Sequence, residues 1–145
     1  MRLTVRLLAI AFVCSACATT RGAPEFLASS GGPPRPFSPA VRAGGFLFLA
    51  GQLGTDSTGR VVPGGIQAET RQTMENIRSL LVRSGSSLDR VIKCTVFLAD
   101  MREWAAMNEV YVTFFPAGRR PARTAAGASG LALDGRVEIE CIAAD

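Results

Sequence analysis

The sequence predicts an α/β chain of the α+β kind, a mixed sheet with two helices on one face. Three observations predict it. Val91 to Leu98 is nearly continuous apolar material, as expected of a central strand covered by helices. Ile66 to Ser84 and Asp100 to Phe114 carry the hydrophobic period of helices. Strand-like pairs stand before the first helix and after the second. The order β-β-α-β-α-β-β gathers the helices into one layer. The other sheet face is then solvated or buried against another subunit, and its apolar content favours burial.

The chain has 145 residues, one domain by size. Met1 to Arg6 is a short basic start, Leu7 to Val13 is apolar, and Cys14-Ser15-Ala16-Cys17 follows. This is a secretory signal pattern, too short to span a bilayer. Ser15 and Ala16 before Cys17 resemble a bacterial lipobox, in which the cysteine is lipidated. Cys14 stands where that motif usually has leucine, and cleavage after Ala18 is the competing reading. Residues 1–17 are expected to be a signal peptide with a lipobox and 18–36 a flexible tether, with 37–145 as the folded domain. The protein is then exported and periplasmic, and membrane-anchored if Cys17 is acylated.

Pro39 to Arg42, Gly44-Gly45 and Phe46 to Leu49 read as a strand, a tight turn and a buried strand. Gly51-Gln52-Leu53-Gly54 lets the backbone come close to something. Asp56 to Gly65 is a loop. In the first helix Ile66, Met74, Ile77 and Leu81 form the apolar stripe, and Glu69, Arg71, Glu75, Arg78 and Arg83 lie largely on the other side. Gly85 fits the stop. Asp100 caps the second helix, with Glu103 three residues on. Trp104, Met107, Tyr111 and Phe114 recur along its apolar face, and Pro116 and Gly118 end it. Asn108, beside that face, is either an exposed polar residue or an amide aimed into a site. The last strands lie around Ala122 to Ala128 and Arg136 to Ala143.

The formal charge is +4. Without Arg2 and Arg6 of the leader, basic residues fall from 16 to 14 against 12 acids, leaving +2. No basic run is interleaved with aromatics, so nucleic acid is not an expected partner. The absence of histidine excludes a Ser-His-Asp or Cys-His apparatus and removes the commonest zinc ligand. Cys94 and Cys141 lie in apolar strand runs. The expected state is a pair of buried free thiols acting as small hydrophobes. The alternative is a disulfide, if the strands are neighbours and the protein is exported.

Arg123 and Glu138 are the candidate site. They stand 15 positions apart on the last two strands, with the turn signal Asp134-Gly135 between them, so a returning strand can bring them to one end of the sheet. An arginine fork holds a carboxylate in two charge-assisted hydrogen bonds. A nearby glutamate can position or deprotonate a water. The bland alternative is a salt bridge between strands.

With these residues placed, the chain resembles the Rid family, the YjgF-type reactive intermediate deaminases, from about Pro36 to Ala143. The resemblance rests on Ala50-Gly51-Gln52-Leu53-Gly54, Val62-Pro63-Gly64-Gly65, Lys93 to Leu98, Met107-Asn108-Glu109-Val110-Tyr111, Pro121-Ala122-Arg123 and Val137-Glu138-Ile139-Glu140. It implies a chorismate-mutase-like fold, a homotrimer with sites in the clefts between subunits, and hydrolysis of 2-imino acids to 2-keto acids and ammonia. No cofactor or metal is implied. Arg123 matches the arginine that binds the substrate carboxylate, and Glu138 the acid that orients or activates water. Asn108 matches a helix residue lining the cleft, and Gly51 the glycine whose backbone faces the ligand. Phe37 stands where well-studied members carry a tyrosine, and Ala50 where many carry serine, so two hydroxyls are missing. Such a loss, without replacement, either slows turnover or favours a more apolar imine.

Two other functions compete with the imine deaminase. One is a non-catalytic module of the cell envelope that holds a small carboxylate at Arg123. The other is a ribonuclease or translation inhibitor, an activity also attributed to the family, against which the low charge argues. Retention of Glu138 beside Arg123 favours the enzyme.

Overall fold

The computed structural model describes residues 22–28 and 35–145, so the expected leader at 1–17 lies outside the described residues. The elements are β1 (Glu25–Phe26), β2 (Ala40–Ala43), β3 (Phe46–Leu49), β4 (Gln52–Leu53), α1 (Gly65–Arg83), β5 (Val91–Leu98), α2 (Trp104–Tyr111), β6 (Ala122–Gly127) and β7 (Val137–Ala144). Gly44 and Gly45 take φ of 60° and 83°. This left-handed pair closes the tight β2–β3 hairpin, and glycine meets it without a Cβ clash.

The strands form one mixed sheet in the order β1-β2-β3-β7-β5-β6, with β4 also on β7. Only β5 and β6 are parallel, and α2 carries the chain between them. The expected order holds, with β1 and β4 added. Within the stretch expected to be a tether, Glu25 and Phe26 pair with Arg42 and Val41. The Arg42 guanidinium fastens this strand by donating to Glu25 at 2.5 Å.

On α1, Met74, Ile77 and Leu81 are fully buried. Thr70 and Thr73 share that face because their hydroxyls donate to the Ile66 and Glu69 carbonyls, at 2.6 and 2.8 Å. Glu69, expected on the outer side, is buried instead. Its carboxylate accepts the Arg136 backbone N–H at 2.8 Å, tying α1 to the start of β7. Trp104, expected on the apolar face of α2, is exposed, and Phe115 is buried. The α-helix is only eight residues long, between tighter 3-10 turns at Met101–Glu103 and Val112–Phe114. Three residues per turn, rather than 3.6, rotate the stripe at both ends.

Alternation along the central strands assigns the faces. On β5, Cys94, Val96 and Leu98 are buried, and on β7, Val137, Ile139, Cys141 and Ala143. These lie beneath the helices. Thr95, Phe97, Glu138, Glu140 and Ile142 take the opposite, helix-free face, which Phe46 and Phe48 join at 41% exposure each.

The expectation of free thiols is corrected. Cys94 and Cys141 are register partners on neighbouring strands, with Cα atoms 4.1 Å apart, and they form a disulfide. Their spacing of 47 residues gave no hint of adjacency, because an entire βαβ crossover lies between them.

Candidate active site

Arg123 is the second residue of β6, an edge strand among the described residues. Its register partner on β5 is Cys94, so it shares the helix face with the disulfide. The guanidinium carbon lies 4.7 Å from the centroid of the Tyr111 ring. Among the described residues Arg123 makes no ion pair. Tyr111 is 2% exposed, and its hydroxyl has no hydrogen-bond partner. Burial pushes this phenol up to about 12, against the pull of Arg123, so it is neutral across the working range. One turn earlier on α2 is Asn108, whose Oδ1 is also buried without a partner. Thus a free cation and two unspent polar atoms are gathered where α2 meets β6.

Glu138 lies elsewhere. Its partner on β5 is Phe97, whereas that of Arg123 is Cys94. With β5 between them, the two residues are about 10 Å apart across the sheet and about 10 Å along it. They also point to opposite faces. The expectation that a returning strand brings them together within one chain is therefore corrected, and so is the salt-bridge alternative. The chain between β6 and β7 crosses β5 instead of turning back as a hairpin.

Glu138 sits against Gly51. A Cβ at Gly51 would overlap Glu138 Oε1, so the missing side chain is the space the carboxylate fills. Burial, and then the like charge of Glu140, raise Glu138 above the usual carboxylate range. Phe37, 52% exposed, lines a cleft of about 610 Å³ together with Gly51, Leu53 and Leu133. The five predicted residues therefore fall into two groups. Arg123 and Asn108 flank Tyr111 on the helix face, while Glu138, Gly51 and Phe37 stand at the other end of the sheet. Tyr111 is what the sequence reading missed, because its spacing marked it as one more member of the apolar stripe. The signal that singles it out is that it is the only tyrosine, three residues beyond Asn108.

Among the described residues no cluster of acids and cysteines could hold a metal ion. The arrangement offers a carboxylate grip in one place and a base in the other.

The family model described as Endoribonuclease L-PSP matches residues 29–145. A RutC family protein of Pyrococcus horikoshii is 50% identical over 109 residues, 74% of this chain and 86% of that protein. A mouse protein named 2-iminobutanoate/2-iminopropanoate deaminase is 41% identical over 109 residues, 74% of this chain and 80% of its own. Among solved structures, yeast Mmf1 superposes with a TM-score of 0.77 at 33% identity, covering 85% of this chain and 99% of its own. E. coli TdcF with bound serine gives 0.71 at 33% identity, over 79% of this chain and 91% of its own. Sequence, fold and the placement of the matched motifs agree, and the chain belongs to the Endoribonuclease L-PSP family, the Rid family of reactive intermediate deaminases.

Proposed function

We propose that the protein hydrolyses 2-imino acids to 2-keto acids and ammonia, at a site that Arg123 of one subunit and Glu138 of another complete together. The observation that carries this reading is the Arg123 guanidinium, a carboxylate-binding group that makes no ion pair among the described residues. The deaminase names of relatives such as the mouse protein support the reaction class.

The chemistry needs positioning more than power, because a protonated imine is already electrophilic. Arg123 forks onto the substrate carboxylate, and the buried Asn108 Oδ1 accepts from the iminium N–H. Glu138 removes a proton from water as its oxygen bonds to the imine carbon, and the C=N π pair moves to nitrogen. Protonated Glu138 then returns the proton to nitrogen. Glu138 then takes the hydroxyl proton as the C–N bond breaks and ammonia leaves, and passes it to ammonia, so that the products are ketone and ammonium. A carboxyl of raised pKa is suited to both halves of this proton shuttle.

The helix-free face supports a homotrimer. Phe46, Phe48 and Ile142 form an apolar surface on a single chain, and a second copy would cover it. The reading also takes the protein out of the cytoplasm, with Cys17 as the lipidated residue. The Cys94–Cys141 disulfide supports export, since such bonds persist in oxidising compartments.

The test is a coupled assay in which an amino-acid oxidase generates 2-imino acids and keto-acid release is followed. The protein is expected to accelerate release. Arg123→Ala should abolish the acceleration, and Glu138→Ala should reduce it by about a hundredfold or more. No acceleration by the folded oligomer for any side chain would overturn the deaminase and leave a carboxylate-binding module.

A further inference from the structure

We infer that Tyr111 is a positioning residue, whose ring is the platform that holds the Arg123 guanidinium ready for a carboxylate. The inference rests on the proposed carboxylate grip of Arg123. A long arginine side chain on an edge strand has many rotamers to lose before it can bind. An acid partner would fix it, but only by occupying the fork that the substrate needs. On its own strand face Arg123 has the uncharged Cys94–Cys141 disulfide beside it, and the next residue along that face is Ala125. Nothing there competes for its donors.

The ring supplies what these neighbours lack. Its π face attracts the flat guanidinium through the ring quadrupole. Stacking uses the face of the guanidinium and leaves the in-plane N–H groups free for two parallel bonds to a carboxylate. A platform must itself be fixed, and Tyr111 is. It is 2% exposed, and the Phe115 ring packs against it at 5.2 Å between centroids, inclined by 49°. The unpartnered Asn108 Oδ1 belongs to the turn of α2 before Tyr111. A buried amide oxygen without a partner is costly, and a ligand held by Arg123 would offset that cost.

The experiment measures two quantities on the full oligomer: the Kd for 2-oxobutanoate by calorimetry, and KM and kcat with oxidase-generated 2-iminobutanoate. Tyr111→Phe keeps the ring and should leave Kd and KM within about twofold of wild type. Tyr111→Met fills similar space without a π face and should raise both by about tenfold or more, with a much smaller change in kcat. Leu47→Val disturbs the core on β3, three strands from Arg123 in the sheet. It should lower Tm yet leave Kd unchanged. Equal Kd in Tyr111→Met and wild type would overturn the inference, as would Tyr111→Phe or Leu47→Val weakening binding as much as Tyr111→Met. The stack can also be read in wild type, where the Arg123 Nε–H proton, identified by its loss in Arg123→Ala, should show an upfield ring-current shift. An unshifted proton overturns the platform. If wild type and Arg123→Ala bind 2-oxobutanoate equally, the carboxylate grip itself fails, and the platform with it.

Discussion

On β7 the strand pleat sends Glu138 and Glu140 to the same helix-free face, two residues apart. Desolvation penalises ionised Glu138, and the Glu140 charge adds to it, so its pKa is raised. Two consequences follow, with opposite senses in pH. The base form of Glu138 appears only above the usual carboxylate range, so kcat/KM should rise with pH through an inflection set by this residue. Glu140→Gln removes the smaller of the two causes and should move the inflection to lower pH while leaving it above that of a free glutamate. An inflection unmoved by Glu140→Gln would show that another group controls the profile. For stability the sign reverses. The folded pKa lies above the unfolded one, so the contribution of Glu138 is fully present below the unfolded value and lost as pH rises through the folded value. Glu138→Gln should therefore raise Tm at neutral pH and do little in acid. A lower Tm at neutral pH would mean that the charge is stabilised by contacts within the fold.

At the scale of the elements, the segment before β7 holds the backbone outliers. Leu133 and Asp134 have φ of 58° and 55°, the two non-glycine residues in the left-handed region among those described. An L-residue there costs about 1–2 kcal/mol, and glycine avoids the clash at an entropy cost of about 0.5–1 kcal/mol. Leu133 is 62% exposed, so its side chain returns little by burial. Leu133→Gly should stabilise the protein by about 1 kcal/mol, a Tm rise of roughly 3–5 °C in a calorimetric scan. An unchanged or lower Tm would show that Leu133 makes contacts offsetting the strain. This segment also shows where the sequence stopped being legible. Helical and strand periods are local, and they located both helices and the long strands. The alternation of Val137, Ile139 and Cys141 with Glu138 was there to be read, and it puts Glu138 off the core face. Strand order is not local. Asp134-Gly135 read as a hairpin turn, but the strand already beside β5 is the parallel β6, and β7 enters on the other side. The face of Arg123 was illegible for another reason: Ala122, Thr124, Ala125 and Ala126 offer no apolar contrast from which to read a pleat. The burial of Glu69 is matched by the backbone N–H and the guanidinium of Arg136 across the fold, which no period encodes.

At the scale of the whole molecule, a single chain keeps Arg123 and Glu138 apart. Arg123 and Glu138 occupy opposite faces of one sheet, and a ligand the size of a small imino acid cannot touch both through it. The sheet also exposes Phe46 and Phe48 on the Glu138 face and leaves β6, the Arg123 strand, at its edge. If a neighbouring copy supplies the missing half, each site draws its carboxylate grip and its base from different subunits. That arrangement has a signature no single-chain site can imitate. Arg123→Ala subunits keep a sound Glu138, and Glu138→Ala subunits keep a sound Arg123. When the two are co-assembled in equal amounts, random mixing in a closed ring makes about a quarter of the sites intact, whatever the number of subunits. The mixed oligomer should recover about a quarter of wild-type kcat with wild-type KM, although each variant alone is near background. Mixed oligomers verified by distinct affinity tags that stay at background would mean that no site pairs Arg123 of one subunit with Glu138 of another. Partial activity with an altered KM would point to a different residue completing the site.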